Sequence, residues 1–488
     1  MGKTGVRYRW VVLAAGTAAQ ASTSAYFQGL AGVGPALRAA HGLSLGGLGL
    51  LLACPTVGVL ATLLVWGPVV DRYGERPTMA VGLFGAAACL LGAGLVDGLA
   101  PRAVLLGLAG AVGASVTTAS GRAVLTWFPS DRRGLAMGIR QCAVPLGSGL
   151  AAACLPPAAG RFGVHGVFFA LAAGCLVAGA AAVALIREPP APPRGGAGGV
   201  GAGARATGGA AARAGSTRDV LRDRRLWRLS LAAGLLIVPQ FTMIAFLVEV
   251  LHDGRGMSAA RAAVVLTVAQ AAGAAARILV GVWSDRAGAR MRPLRALAVA
   301  AAAGMAAVAA AVGAWVPLLV AVLVVVAAVT VCWNGLAFTA AGELAPPGRA
   351  ATAMSFENSA NFGSAVLTPP LVGLLITGVG WSSAFLLVAL APVAAAFLLG
   401  PLVEPSGRRP GPRAGSRARG LAAGAGDLSF VAGHPGTGPS FGLRARSRAR
   451  EAANHETGRA CVGDPGHGRF RVRATGGDGG PRDADGAR

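Results

Sequence analysis

Two ten-residue segments carry acidic, basic and glycine residues at identical spacing. Both read GxxxDRxGxR, and they lie 214 residues apart; their fixed positions are Gly67, Asp71, Arg72, Gly74 and Arg76, and Gly281, Asp285, Arg286, Gly288 and Arg290. An aspartate that ends a helix can cap the N-terminus of a neighbouring helix, where an anion is favoured. The arginines can pair with carboxylates or anionic headgroups. The spacing therefore predicts a breakable latch between helices, of the kind that suits a molecule with two states.

The glycines of the two segments have distinct predicted roles. Gly67 and Gly281 lie where two helices can approach closely, because glycine has no side chain to separate them. Gly74 and Gly288 are expected to form the tight turn that follows each helix. A static loop would explain the arginines alone, but it would not explain the Asp and Gly spacing twice over.

Three charged residues lie inside apolar stretches, where a charge is costly and is by default a functional hypothesis. Arg140 and Glu357 are 217 residues apart, at equivalent positions of a second internal alignment. Arg140 would attract an anionic group of a substrate, and Glu357 would take up a proton. A structural pair, or side chains that reach back to water, is the alternative. Arg277 either lines the same site or pairs with a carboxylate of the latch.

Neutral polar residues also occur in the middle of apolar stretches. The predicted substrate-binding set comprises Tyr26, Gln28, Arg140, Gln240, Asn334, Glu357 and Asn361. For each uncharged member, a hydrogen bond between two helices is the alternative interpretation.

The elements that position these residues are membrane-spanning helices. The chain has 488 residues, of which 54% are apolar and only 13% charged, whereas soluble domains carry about a quarter charged residues. Apolar runs of helix-spanning length recur from residue 10 to residue 403. We predict an all-α membrane protein with spans at 10–36, 45–70, 78–98, 102–127, 135–158, 165–186, 228–250, 258–283, 294–313, 316–341, 351–376 and 381–402.

The duplicated motif divides this chain into two related halves of six spans. An even number of spans per copy inserts both copies with the same orientation, and such parallel repeats enclose a central site. We predict an N-terminal six-helix bundle at 1–187, a flexible cytoplasmic linker at 188–227, a C-terminal six-helix bundle at 228–403 and a disordered cytoplasmic tail at 404–488. The linker and the tail are rich in Gly, Pro and Arg and lack apolar periodicity.

Loop charge predicts the orientation of the helices. Arginines concentrate in the linker and in the loops after the second, fourth, eighth and tenth spans, and few lie on the opposite side. Because cytoplasmic loops carry the excess of Lys and Arg, both termini are expected in the cytoplasm. The Ala-, Gly- and Arg-rich composition suggests a bacterium of high genomic GC content and thus its cytoplasmic membrane.

Several function classes are disfavoured by the sequence. The net charge of +24 lies in short loops and low-complexity segments, so we expect no nucleic-acid partner. The seven cysteines form no CxxC pair, and no disulfide framework or metal site is predicted. No phosphate-binding GxxxxGK[ST] segment or catalytic cluster is present, so no cofactor and no enzymatic activity are expected.

These residues resemble the major facilitator superfamily (MFS). GxxxDRxGxR between spans two and three is the best-known signature of that family, and the resemblance covers roughly residues 10–403. The resemblance implies two pseudo-symmetric six-helix bundles, alternating access and substrate-coupled or proton-coupled transport. The segment 127–141 is similar to members that move small anions. Val144 precedes Pro145 where drug/proton antiporters of the family have Gly, which argues against drug efflux.

We therefore predict a secondary transporter of a small solute, an organic or inorganic anion, that works as a monomer in the lipid bilayer with proton coupling as an option. A drug or metabolite efflux antiporter of the same fold is one alternative. A membrane sensor that has lost transport is another.

Overall fold

The computed structural model describes residues 3–187 and 215–404, and these residues fold into fifteen α-helices and one short 3-10 turn, without a strand. The helices of the first half are α1 Lys3–Phe27, α2 Gly34–His41, α3 Leu45–Tyr73, α4 Glu75–Leu95, α5 Leu99–Trp127, α6 Arg133–Gln141 and α7 Ala143–Leu185. Those of the second half are α8 Thr217–Arg222, α9 Arg224–His252, α10 Ala259–Ala287, α11 Met291–Ala311, α12 Val316–Val331, α13 Asn334–Leu344, α14 Ala350–Val388 and α15 Leu390–Leu399.

Within the described ranges, nine helical segments are long and apolar enough to cross a membrane. Two of them, Arg133–Leu185 and Ala350–Leu399, are 53 and 50 residues long, about twice the length that a bilayer requires. Each turns at a glycine with positive φ, Gly163 at 65° and Gly380 at 79°. Each therefore contains two of the predicted spans. The remaining predicted span corresponds to α1, which is not among the nine segments.

Two predicted spans are each interrupted within their length by one or two residues. The fifth is broken at Cys142, between α6 and α7, and the tenth at Cys332 and Trp333, between α12 and α13. These breaks place Arg140 in the last turn of α6 and Asn334 at the start of α13. The prediction runs both spans through these points, although Pro145, which lacks the N–H that would bond the Gln141 carbonyl oxygen, lies just after the first interruption.

The two halves pack directly against each other. Helix α3 of the first half lies along α14 of the second, and α10 of the second half lies along α6 of the first. One apolar cluster is shared across this seam, with Phe338 and Met354 of the second half packed among Val124, Trp127 and Met137 of the first. In each pair, one helix carries a copy of the duplicated motif, α3 or α10. Its partner in the other half is α14 or α6, and these two partners occupy equivalent positions in the two halves.

The structure differs from the predicted flexible linker over residues 215–227. Ser216 and Asp219 form a reciprocal capping box that begins α8, and α9 begins at Arg224. The Gly215 amide donates to the Pro347 carbonyl oxygen at 3.1 Å, and Arg349 Nε donates to Gly215 O at 2.6 Å, so this segment is anchored to the second half. The rest of the predicted linker, 188–214, and the predicted tail beyond residue 404 lie outside the described residues.

Candidate functional site

A cavity of about 190 Å³ lies at the seam between the two halves. Its wall is formed by α1, α3, α5, α6 and α7 from the first half and by α9, α10, α13 and α14 from the second. Five of the seven residues predicted to bind substrate line this cavity: Gln28, Arg140, Gln240, Asn334 and Asn361. Residues from distant parts of the sequence therefore converge on one site.

The other two members of the predicted set do not line the cavity. Tyr26 is fully buried, and its hydroxyl donates a hydrogen bond to the Ala109 carbonyl oxygen at 3.0 Å. This is the helix-to-helix bond that was the alternative for Tyr26. Glu357 is also fully buried, and its Oε1 accepts a hydrogen bond from Asn361 Nδ2 at 2.9 Å. Because Asn361 lines the cavity, Glu357 lies one side chain behind the wall.

Arg140 is held in place by neutral oxygens. Its Nε donates to Ser120 Oγ at 2.9 Å and its Nη1 to Gln141 Oε1 at 2.8 Å. Its Nη2 donates to Gln20 Oε1 at 3.3 Å and to the Thr117 carbonyl oxygen. Among the described carboxylates none forms an ion pair with Arg140, so the alternative of a structural pair with Glu357 is absent from this structure.

Arg140 is also stacked against an aromatic ring of the other half. Its guanidinium carbon lies 4.9 Å from the centre of the Phe338 ring, a distance typical of cation–π contact. The side chain is 1% exposed, yet it forms part of the cavity wall. The guanidinium is therefore rigidly positioned.

Arg277 lines the same cavity from the second half, which decides between the two predicted placements. Its Nε donates to the Val331 carbonyl oxygen at 3.1 Å. Helices α6 and α10 touch at this level: a Cβ added at Gly138 would lie 2.5 Å from Arg277 O. Arg277 likewise has no ion pair with a carboxylate in the part of the chain that the structure describes.

The cavity wall combines polar and apolar side chains and is unbalanced in charge. Arg140 and Arg277 are its charged members, and no Asp or Glu is present among the described residues that line it. Amide side chains supply most of the remaining polar surface, including Gln20, Gln141 and Gln270, which the sequence analysis did not select. Such a wall offers hydrogen-bond donors to an anion and holds two positive charges without a counter-charge.

The predicted caps are confirmed on one face of the bundle, here named the motif face and defined by Asp71 and Asp285. Asp71 accepts hydrogen bonds from the amides of Ala351 at 3.0 Å and Thr352 at 2.9 Å, at the N-terminus of α14. The Thr352 hydroxyl adds a third bond at 2.6 Å. The aspartate of the first half therefore caps a helix of the second half.

Asp285 makes the reciprocal contact. It accepts hydrogen bonds from the amides of Gly134 at 2.9 Å and Leu135 at 2.8 Å, at the N-terminus of α6. Arg290 Nη1 lies 2.8 Å from Asp285 Oδ1 and completes an ion pair. The aspartate of the second half thus caps a helix of the first half.

The four motif glycines have the predicted geometry. A Cβ at Gly67 would lie 2.7 Å from Thr352 Cα, and one at Gly281 would lie 2.2 Å from Gly134 O, so each permits a close helix contact. Gly74 and Gly288 have φ of 87° and 61° and form the turns. The motif arginines Arg72, Arg76 and Arg286 are exposed, and no ion pair to a described carboxylate involves them.

Sequence reasoning missed part of the network on the motif face. Glu343 at the end of α13 lies between two arginines, 3.4 Å from Arg133 Nη1 and 3.6 Å from Arg290 Nε. In the first half, Arg122 pairs with Asp71 at 3.5 Å and with Glu75 at 3.2 Å. The signal for Glu343 was an acidic residue just after the predicted tenth span, because acidic residues are scarce in and beside the spans of this chain.

Comparison with known proteins identifies the family to which this chain belongs. The sequence model of the Major Facilitator Superfamily matches residues 16–369, which are most of the chain. The chain belongs to the Major Facilitator Superfamily. It is 35% identical over 408 residues to the uncharacterized MFS-type transporter Rv2994 of Mycobacterium tuberculosis, a match that covers 83% of this chain and 87% of that protein. This MFS transporter is therefore a multi-pass membrane protein.

Solved structures of the superfamily share the fold. The E. coli fucose:proton symporter FucP is 15% identical, with a TM-score of 0.62 over 79% of this chain and 97% of that one. The human organic anion transporter MFSD10 is 16% identical, with a TM-score of 0.64 and coverage of 80% and 99%. The proton:xylose symporter XylE is 16% identical, with a TM-score of 0.62 and coverage of 82% and 97%. At these identities, the likeness concerns the fold alone.

Proposed function

We propose that this MFS transporter moves a small organic or inorganic anion across a bacterial cytoplasmic membrane by alternating access. The observation that carries the proposal is the pair of buried arginines, Arg140 and Arg277, in a cavity whose described wall contains no carboxylate. Burying a charge without a partner is expensive, so the site is suited to a ligand that brings the negative charge.

Alternating access is supported by the contacts on the motif face. Asp71 and Asp285 tie each half to the other there, each through two backbone amides. Such caps can break and re-form as units, which suits rocking of one half against the other. Loop arginines favour the motif face, and both termini with it, as the cytoplasmic side. This structure then corresponds to a state closed toward the cytoplasm. We expect the monomer to be the working unit.

Proton coupling is the second part of the proposal and rests on Glu357. The carboxyl is fully buried and has one described hydrogen-bond partner, Asn361, which faces the cavity. The Glu357 Oε2 atom is buried without a partner in the described structure. A buried carboxyl in this position is more stable with a proton than as a bare anion. Asn361 would connect its protonation to what occupies the cavity.

Uptake by the reconstituted full-length protein tests the anion proposal. A panel of labelled small anions and neutral solutes of matched size is offered to proteoliposomes that contain wild type, Arg140→Gln or Arg161→Gln. Arg161 is exposed outside the cavity and serves as the matched control. We expect uptake of at least one anion by wild type and by the control, and at least about tenfold less by Arg140→Gln, the loss expected for a charged hydrogen-bonding partner. Uptake of neutral solutes alone would contradict the proposal.

A drug efflux antiporter is the second candidate, and one observation favours it. Four phenylalanines line the cavity, Phe27, Phe241, Phe338 and Phe362, and aromatic walls accommodate amphiphilic molecules. Accumulation of fluorescent cationic drugs in cells with and without the protein separates the two candidates. The positive cavity predicts no difference in accumulation.

A further inference from the structure

The two cavity arginines come from opposite halves and lie at the same level of the seam. Arg140 is on α6 and Arg277 on α10, and these helices approach closely at Gly138, opposite the Arg277 backbone. The Cys142 thiol donates to the Ala274 carbonyl oxygen at 3.4 Å, one turn from Arg277, which fixes the same register. A ligand that contacts both arginines therefore bridges the two halves.

The two guanidinium groups differ in how many of their N–H donors remain available to a ligand. Arg140 already donates four hydrogen bonds to neutral oxygens, so it acts chiefly as a fixed positive charge. Arg277 is anchored through Nε alone. Its two terminal nitrogens have no hydrogen-bond partner in the described structure and are not fully enclosed by protein atoms. This planar fork matches the geometry of a carboxylate, which it can bind through two parallel hydrogen bonds.

No described carboxylate is available to neutralise this pair of charges. Glu357 lies behind Asn361 and outside the cavity wall. Asp285 is engaged by Arg290 and two amides, and Glu343 by Arg133 and Arg290, all on the motif face. The cavity thus presents two separated positive charges to its contents.

We infer that the substrate is a short dicarboxylate, with one carboxylate held by the Arg277 fork in one half and the other beside Arg140 in the opposite half. The inference rests on the proposed function and names its substrate class. A ligand of this kind neutralises both arginines and draws the halves together. A monocarboxylate leaves one buried arginine without a counter-charge. A cavity of about 190 Å³ restricts the choice to small molecules.

Binding of succinate and butyrate tests the inference, because the two acids have the same number of carbons and differ by one carboxylate. Thermal unfolding of the full-length protein in detergent is followed at pH 7.5 while each ligand is titrated. Monomethyl succinate keeps the length but removes one charge. For wild type and for the exposed control Arg161→Gln, we expect half-maximal stabilisation by succinate at a concentration about tenfold or more below that of either monoanion.

The variants distinguish bridging from simple anion binding. Arg277→Gln is expected to bring succinate to within about threefold of butyrate, since one charged contact is lost. Arg140→Gln is expected to weaken succinate more than butyrate, because a monocarboxylate keeps its contact with the Arg277 fork. Equal potency of succinate and butyrate on wild type, or an equal loss of both in Arg277→Gln, overturns the dicarboxylate assignment and leaves anion transport standing.

A titration with inorganic sulfate tests whether the protein requires two separate carboxylates or only a double negative charge. Stabilisation by sulfate at the same concentration as succinate would also overturn bridging. Failure of all four anions to stabilise wild type, with uptake of neutral solutes alone in proteoliposomes, is a different outcome, because it rejects the proposed function itself.

Discussion

Glu357 and Arg140 show how far one residue can be interpreted from its position in the sequence. The 217-residue offset pairs them, and the buried placement predicted for both is observed. Their direct contact is not observed, because Arg140 is held by Gln20, Thr117, Ser120 and Gln141 of its own half. The equivalent positions in the two halves predict that both residues are buried. The hydrogen-bond partners around each residue determine which way its side chain points.

Substitution of Glu357 by glutamine tests proton coupling. Glutamine keeps the size and the hydrogen bond to Asn361 but cannot exchange a proton. In proteoliposomes preloaded with the transported anion, exchange of labelled for unlabelled anion should remain within about threefold of wild type, because no net proton movement is needed. Accumulation driven by an imposed pH gradient should fall about tenfold or more, toward the level of empty liposomes.

The outcome against proton coupling is equally clear. A Glu357→Gln protein that still accumulates the anion in response to the pH gradient would exclude this carboxyl as the proton site. Asn358→Gln is a suitable control. Asn358 is the residue next to Glu357, its side chain lines the cavity, and it has no carboxyl group that could exchange a proton.

At the scale of elements, the duplicated motif was predictable and the broken helices were not. The spacing of Asp71 and Asp285 predicted caps on neighbouring helices, and both caps are present. Arg140 and Gln141 adjoin the interruption at Cys142, so only the interruption at Cys332 lies in almost uniformly apolar sequence. Such sequence carries no period to show which side of a helix faces the cavity. For the same reason Tyr26 could not be separated from Gln28, although only Gln28 lines the cavity.

Gly281 offers a test of close helix contact on the motif face. A Cβ there would lie 2.2 Å from Gly134 O, which is backbone and cannot move aside as a side chain can. Gly281→Ala should therefore destabilise the arrangement in which α10 and α6 touch by about 1–3 kcal/mol. We expect a lower melting temperature of the detergent-purified protein than for Gly378→Ala, a control position where an added Cβ meets nothing within 4 Å. Equal melting temperatures for the two variants would contradict the contact.

At the scale of the whole molecule, the two halves are joined by reciprocal contacts on the motif face and enclose a cavity that both of them line. The fold class could be predicted because a dozen apolar runs and a repeated motif leave few alternatives. The network of Glu343 with Arg133 and Arg290 could not, because it joins residues from both halves whose distances depend on packing across the seam. Charge in the cavity is likewise a property of the assembled halves, since Arg140 and Arg277 contribute from opposite sides.

The central claim is that this assembled cavity is positively charged and selects anions, and it can be tested without knowledge of the substrate. The seven native cysteines are replaced by serine, and a single cysteine is introduced at Gln28 in the cavity wall. The reaction rates of this thiol with a sulfonate-bearing and a trimethylammonium-bearing methanethiosulfonate are then measured, each divided by the rate with a free thiol. We predict that the anionic reagent reacts about tenfold faster after this correction and that Arg140→Gln with Arg277→Gln removes the preference. A cationic reagent that reacts as fast as the anionic one, or faster, would contradict the account.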